Sequence, residues 1–191
     1  MPFQLRSLAD THKLAKLIAG IIVPNFVIAL SGDLGAGKTT LVREILHALG
    51  ISGSIKSPTF TYVEPYKLEN IEVYHFDLYR ISDPEEWFDL GFDEYFINPH
   101  LCFIEWAEKA EGVLPQVDWS IILSVKEIYR DKLELQGNDE QRRLQIVGKE
   151  RNHAPVVSNR SCIHGCQIMA HTNKGQECLE NLMKNGASLL G

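Results

Sequence analysis

The segment Gly32-Asp33-Leu34-Gly35-Ala36-Gly37-Lys38-Thr39 constrains this chain more than any other. It satisfies G-x-x-x-x-G-K-[ST], follows the compact apolar run Phe26 to Leu30, and precedes a helical pattern (Leu41, Val42, Ile45, Leu46, Leu49) that stops at Gly50. A buried strand, a glycine-rich loop and a helix in that order form a phosphate-binding loop. Glycines let the backbone curl until its N–H groups converge on phosphate oxygens, and the N-terminus of the following helix adds a favourable dipole. On this reading Gly35, Ala36, Gly37, Lys38, Thr39 and Thr40 contact the nucleotide, here taken as ATP. Lys38 reaches the β and γ phosphates, Thr39 offers its hydroxyl to magnesium, and Thr40 lies near the α phosphate.

The 191 residues, 45% of them hydrophobic, suffice for one domain with a real core. The longest early apolar stretch, Leu17 to Leu30, is broken by Gly20, Pro24 and Asn25, so no membrane span is expected. Met1 to Asp10 lacks the basic and apolar regions of a secretory signal. The cysteines (Cys102, Cys162, Cys166 and Cys178) are read as reduced thiols in a cytoplasmic protein rather than as a disulfide framework. A net charge of -6 argues against unaided binding to nucleic acid, which draws on a basic face. Any RNA connection is expected to run through a partner.

The spacing of Leu14, Leu17, Ile18, Ile21 and Ile22 predicts a first helix, with Asp10 and Thr11 as caps. Strands are expected at Phe60–Val63, Ile71–Phe76 and Leu101–Ile104, and Asp83-Pro84-Glu85-Glu86 opens a short helix. Trp119–Val125, Lys132–Leu135 and Arg143–Val147 follow without intervening helices, which predicts antiparallel hairpins there. The expected fold is a three-layer α/β P-loop protein whose mixed sheet is parallel around the loop and antiparallel at one edge.

From Gly148 the composition shifts. Residues 148–191 carry five Lys+Arg against three Asp+Glu, whereas residues 1–147 carry 14 against 22. The expectation is an ATPase domain over 1–147 and a loose C-terminal extension over 148–191, with one short helix at Glu177–Met183. Within the extension, Cys162-x-His164-x-Cys166, with His153, His171 and Cys178 nearby, has ligand types that zinc prefers. A second ligand pair at a defined distance is missing, so a reduced, loose segment is the favoured reading.

Acidic residues end two of the strands. Asp77, in His75-Phe76-Asp77-Leu78-Tyr79-Arg80, stands where a carboxylate holds magnesium beside a phosphate-binding loop. Glu105, in Ile104-Glu105-Trp106-Ala107-Glu108, is the candidate to orient the attacking water or complete the magnesium shell. Lys38 and Glu105 are therefore the catalytic candidates, and Thr39, Asp77 and Glu105 the metal candidates.

The order Gly32 to Thr40, Ser57-Pro58-Thr59-Phe60-Thr61, His75 to Arg80 and Ile104-Glu105-Trp106 resembles the TsaE (YjeE) family across Leu5 to Leu135. The resemblance implies the ATPase component of the bacterial machinery that forms N6-threonylcarbamoyladenosine at position 37 of tRNA. It further implies a TsaB-TsaD heterodimer as partner, with tRNA reached only through that complex. It puts Ser57-Pro58-Thr59 in a switch-like loop with Thr59 near the γ phosphate, makes Glu105 necessary for hydrolysis, and brings Trp106 close to the nucleotide. Tyr79 and Arg80 face either nucleotide or partner. Family members usually stop soon after the final strands, so the extension is where this chain is expected to depart.

Two rivals are weaker. A small-molecule kinase closes arginines over the transferred phosphoryl group, and after the loop helix only Arg80 and Arg130 offer themselves. A GTPase carries Asn-Lys-x-Asp, approached only by Asn173-Lys174-Gly175-Gln176, which lacks the Asp.

Overall fold

A computed structural model describes residues 2–69, 71–129 and 160–186. In chain order the elements are β1 (Pro2–Leu5), α1 (Leu8–Ala19), β2 (Phe26–Ser31), α2 (Lys38–Ala48), β3 (Val63–Leu68), β4 (Ile71–Asp77), α3 (Glu86–Asp89), β5 (His100–Glu105), β6 (Trp119–Tyr129), β7 (Arg160–Ala170) and α4 (Asn173–Asn185). Single 3-10 turns at Phe92–Phe96 and Ala107–Ala110 flank β5.

One seven-stranded sheet runs in the order β1-β7-β6-β2-β5-β4-β3. β6, β2, β5 and β4 are parallel, which is the expected arrangement around the loop. Antiparallel pairing occurs on both flanks rather than one: β7 with β6 and β1 on one side, β3 with β4 on the other. The central strands β2 and β5 are apolar without alternation because both of their faces are covered. On one face Phe26, Ile28, Leu30 and Phe103 pack with Leu14 and Ile18 of α1, Leu41 and Ile45 of α2 and Leu182 of α4. On the other, Val27, Phe76, Cys102 and Ile104 pack with Trp87 and Phe92.

Three local expectations are corrected. Helix α1 begins before Asp10, because Ser7 Oγ accepts the Asp10 N–H at 3.3 Å while the Asp10 carboxylate takes the Arg6 N–H at 3.1 Å. Ser7 is thus the cap, and Asp10 closes the box from inside the first turn. The expected strand at Phe60–Val63 is a turn. Tyr62 has φ 65°, which breaks an extended run, and the strand proper starts at Val63. Pro65 is tolerated within β3 because that strand is an edge.

The third correction concerns the extension. Arg160–Ala170 is β7, seated between β6 and β1, and Asn173–Asn185 is a helix whose Cys178, Leu179 and Leu182 lie in the main core. The buried Asp118 explains the docking: its carboxylate accepts the Val27 N–H at 2.9 Å and the Thr172 hydroxyl at 2.5 Å, and pairs with Lys174 at 3.0 Å. The Trp119 indole donates to the Gly175 carbonyl at 2.7 Å, and a Cβ on Gly175 would sit 2.5 Å from the Asp118 carbonyl oxygen. Polar composition hid this segment because only one stripe of α4 is apolar. The expected strands at Lys132–Leu135 and Arg143–Val147, and His153, lie outside the described residues.

Candidate nucleotide site

The loop between β2 and α2 owes its shape to two close approaches. Gly32 has φ 136°, and a Cβ there would lie 2.1 Å from the Leu123 carbonyl oxygen of β6, so only glycine fits. Gly37, at φ 98°, is the left-handed residue that turns the chain into α2. No side chain caps the α2 N-terminus and its first turn holds no acidic residue, so its leading N–H groups are left to an anion.

In front of this terminus lies a cavity of about 390 Å³. The loop and α2 line it with Gly35, Gly37, Lys38, Thr39 and Thr40, and Thr59, Asp77, Glu105 and Trp106 complete the wall. Nine of the ten residues singled out from the sequence therefore meet in one place. The tenth, Ala36, lines an adjoining cavity; its methyl is buried and its carbonyl accepts the His164 Nδ1–H at 3.1 Å.

The register brings the carboxylates together. Asp77 and Glu105 are paired positions of the parallel strands β4 and β5, and both side chains are buried. Asp77 accepts the Thr59 hydroxyl at 2.6 Å, the Ser57 hydroxyl at 3.2 Å and the Tyr79 N–H at 3.1 Å. Glu105 accepts the Thr39 hydroxyl at 2.9 Å through one oxygen and meets His75 Nε2 at 2.7 Å through the other. Lys38 is the one cation among the cavity-lining residues. Its ammonium donates to the Gly32 and Asp33 carbonyls at 2.6 and 3.0 Å and lies 3.7 Å from the centre of the Trp106 ring. Burial pushes the Lys38 ammonium below the ordinary lysine value, against the attraction of Glu105, Glu108, Asp77 and Asp33.

Two buried carboxylates and three hydroxyls form an oxygen-rich donor set of the kind that suits a hard divalent cation. Among the described residues no cluster of three or more His, Cys, Asp or Glu would hold a metal alone. Of the Cys162/His164/Cys166 constellation, the side chain of Cys162 lies outside the described residues. The thiols of Cys102 and Cys166 are raised by burial, the latter to about 12.

The family model for threonylcarbamoyl adenosine biosynthesis protein TsaE matches residues 5–134. The chain belongs to the TsaE family. It is 51% identical over 92 residues to the TsaE protein of Haemophilus influenzae, covering 48% of this chain and 58% of that one. For Rickettsia felis TsaE the identity is 49% over 106 residues, covering 55% and 61%, so these two matches span less than two thirds of either relative. Bacillus subtilis TsaE is 37% identical over 150 residues, covering 78% of this chain and 92% of the relative. The crystal structure of Bacillus subtilis YdiB superposes with a TM-score of 0.64 at 27% identity, over 97% of this chain and 95% of that one. That likeness reaches into the residues expected to depart from TsaE proteins.

Some residues of this TsaE site escaped the sequence reading. His164 stood out only as a zinc candidate, and pairing of β7 with β6 is what carries it to the loop. A second cavity of about 260 Å³ shares Gly35, Gly37 and Thr40 with the first and adds Leu5, Arg6, Leu8 and His164. His75, within His75 to Arg80, carries no signal in the sequence that marks it apart from the strand around it. The alternatives for Tyr79 and Arg80 separate: the Tyr79 ring lines the cavity, 5.1 Å from that of Trp106. The Arg80 guanidinium instead lies 5.9 and 5.6 Å from the ring centres of Phe60 and Tyr62.

Proposed function

We propose that this site binds ATP with magnesium and hydrolyses it, and that the hydrolysis serves formation of N6-threonylcarbamoyladenosine in tRNA through a TsaB-TsaD complex. The observation that carries the reading is the convergence of Lys38, Thr39, Asp77 and Glu105 on one cavity at an uncapped helix N-terminus. The adjoining cavity, continuous through Gly35, Gly37 and Thr40, gives the ribose and base a place against Leu5, Arg6, Leu8 and His164.

In this scheme the N–H groups of the loop and of the first turn of α2 hold the phosphates. Lys38 exchanges the Gly32 and Asp33 carbonyls for the β and γ oxygens, which restores full charge neutralisation to its ammonium. Thr39, Asp77 and, through its hydroxyl, Thr59 would hold magnesium, which when bound neutralises charge developing on the phosphates. Once Thr39 turns to that shell, the Glu105 oxygen it occupied becomes free to accept a hydrogen bond from the attacking water. Trp106 and Tyr79 wall the cavity against solvent. A family description of tRNA threonylcarbamoyladenosine biosynthesis supports the downstream role.

No arginine lines the cavity among the described residues, so nothing there clamps the transition-state charge as a kinase would require. Slow turnover by the isolated chain follows, with acceleration when a partner covers the open mouth. Leu34 and Tyr79 line that mouth and are 79% and 46% exposed, which supports a docking role for that rim. The net charge of -6 supports reaching tRNA through the partner rather than directly. The test is to quantify ADP and phosphate from ATP with Glu105→Ala as control. Equal yields of both products, lost in the variant, are expected. ADP without free phosphate, the phosphoryl group having passed to an acceptor, would replace this reading with a kinase.

A further inference from the structure

His75 is fully buried, yet one of its ring nitrogens, Nδ1, has no hydrogen-bond partner among the described residues. An apolar side chain would fill the same space in the sheet without stranding a polar atom, so the histidine must return something for that cost. Its other nitrogen supplies the answer: Nε2 lies 2.7 Å from Glu105 Oε1. His75 and Asp77 are two residues apart on β4 and so project from the same face, and β4 is in parallel register with β5. The strand that presents the metal candidate Asp77 thus also presents an imidazole against the carboxylate of Glu105.

We propose that His75 is a positioning residue that fixes the Glu105 carboxylate for hydrolysis. This rests on the reading of Glu105 given above. An Nδ1–H would be a buried donor without an acceptor, whereas a bare Nδ1 strands only a lone pair, so the proton sits on Nε2 and is donated to Glu105. Glu105 is then held at both oxygens, by His75 through Oε1 and by Thr39 through Oε2. The two restraints differ in what nucleotide does to them. Thr39 lines the cavity and is drawn to the incoming ligand, while His75 lies behind Glu105, away from solvent. His75 therefore keeps the plane of the carboxylate fixed at the moment its other oxygen is released toward water. A carboxylate without that restraint would swing, and part of the orientation would be lost.

The test uses the full chain in the presence of its partner complex, with His75→Gln and His75→Asn compared as a pair. Both variants place an amide in the same buried space. Gln carries its NH₂ near the position of Nε2, whereas Asn is shorter and reaches only the position of Nδ1. Expected is a loss of about 10- to 100-fold in kcat for His75→Asn, recovered to within about fivefold of the parent in His75→Gln, with nucleotide affinity within about twofold in both. In an E105Q background the two His75 variants should hydrolyse ATP at the same residual rate, because there is no carboxylate left to orient. Equal kcat for Gln and Asn, or the same fold-loss with and without Glu105, would overturn the inference and leave Glu105 in its role. Parent-like hydrolysis by E105Q itself would remove both readings together.

Discussion

Replacing Asp118 by Ala tests whether β7 and α4 are integral to the domain or merely attached to it. The carboxylate is 2% exposed and serves three donors. Without it the Val27 N–H is stranded in the core, at a cost of about 1–3 kcal/mol. The Thr172 hydroxyl still caps α4 through the Gly175 N–H at 2.9 Å, so its loss adds about 1 kcal/mol. Lys174 is 37% exposed and returns to water, so its pairing adds about 0–1 kcal/mol. The total centres on about 3 kcal/mol, or a fall of about 6–12 °C in Tm for a domain of this size. Asp118→Asn retains an acceptor for Val27 and should lose less than half as much. Urea unfolding followed by circular dichroism gives the number, and hydrogen exchange locates it, with protection in Asn173–Asn185 falling first. Unfolding of Asp118→Ala within about 0.5 kcal/mol of the parent would refute the argument that this carboxylate docks the C-terminal helix.

Lys38→Ala leaves Asp77 and Glu105 without their neighbouring cation, and calorimetry should show nucleotide affinity reduced by at least about 100-fold, since a charge-assisted contact of this kind is worth about 3 kcal/mol; affinity within threefold would contradict the assignment. Of the three tryptophans, Trp87 and Trp119 are 1% and 0% exposed, so only Trp106 faces the cavity. Nucleotide should therefore change the intrinsic fluorescence of the parent and leave that of Trp106→Phe unchanged. With burial raising Cys166 to about 12 and Cys102 further, their thiolates are suppressed at pH 8. Both should resist a thiol reagent in the folded protein and react once urea unfolds it; peptide mapping reads the outcome.

The loop, the parallel centre of the sheet and the meeting of Lys38, Thr39, Asp77 and Glu105 were legible because each rests on a local rule. Glycine spacing marks the loop, unbroken apolar runs mark β2 and β5, and an acidic residue at a strand's C-terminal end marks the crevice. What escaped depends on partners far away in the chain. Arg160–Ala170 is a strand because β1 and β6 flank it, and nothing in its own composition announces that. His164 reaches the loop only through that pairing, across 128 residues from Ala36. Tyr62 and Ser7 escaped for a local reason: a left-handed residue halts one strand, and a serine cap starts one helix earlier than aspartate suggested. His75 could not be singled out from the sequence because its contact with Glu105 is made across two strands.

The central claim is that this cavity turns over ATP in the service of a tRNA-modifying complex. Its most direct test is the rate of phosphate release from ATP by the purified chain, alone and with TsaB-TsaD, beside Glu105→Ala and a GTP control. The account predicts slow release by the chain alone, stimulation by the pair, a preference for ATP, and no release by the variant despite retained nucleotide binding. Hydrolysis unaffected by the Glu105 substitution, or by the presence of the pair, would contradict it.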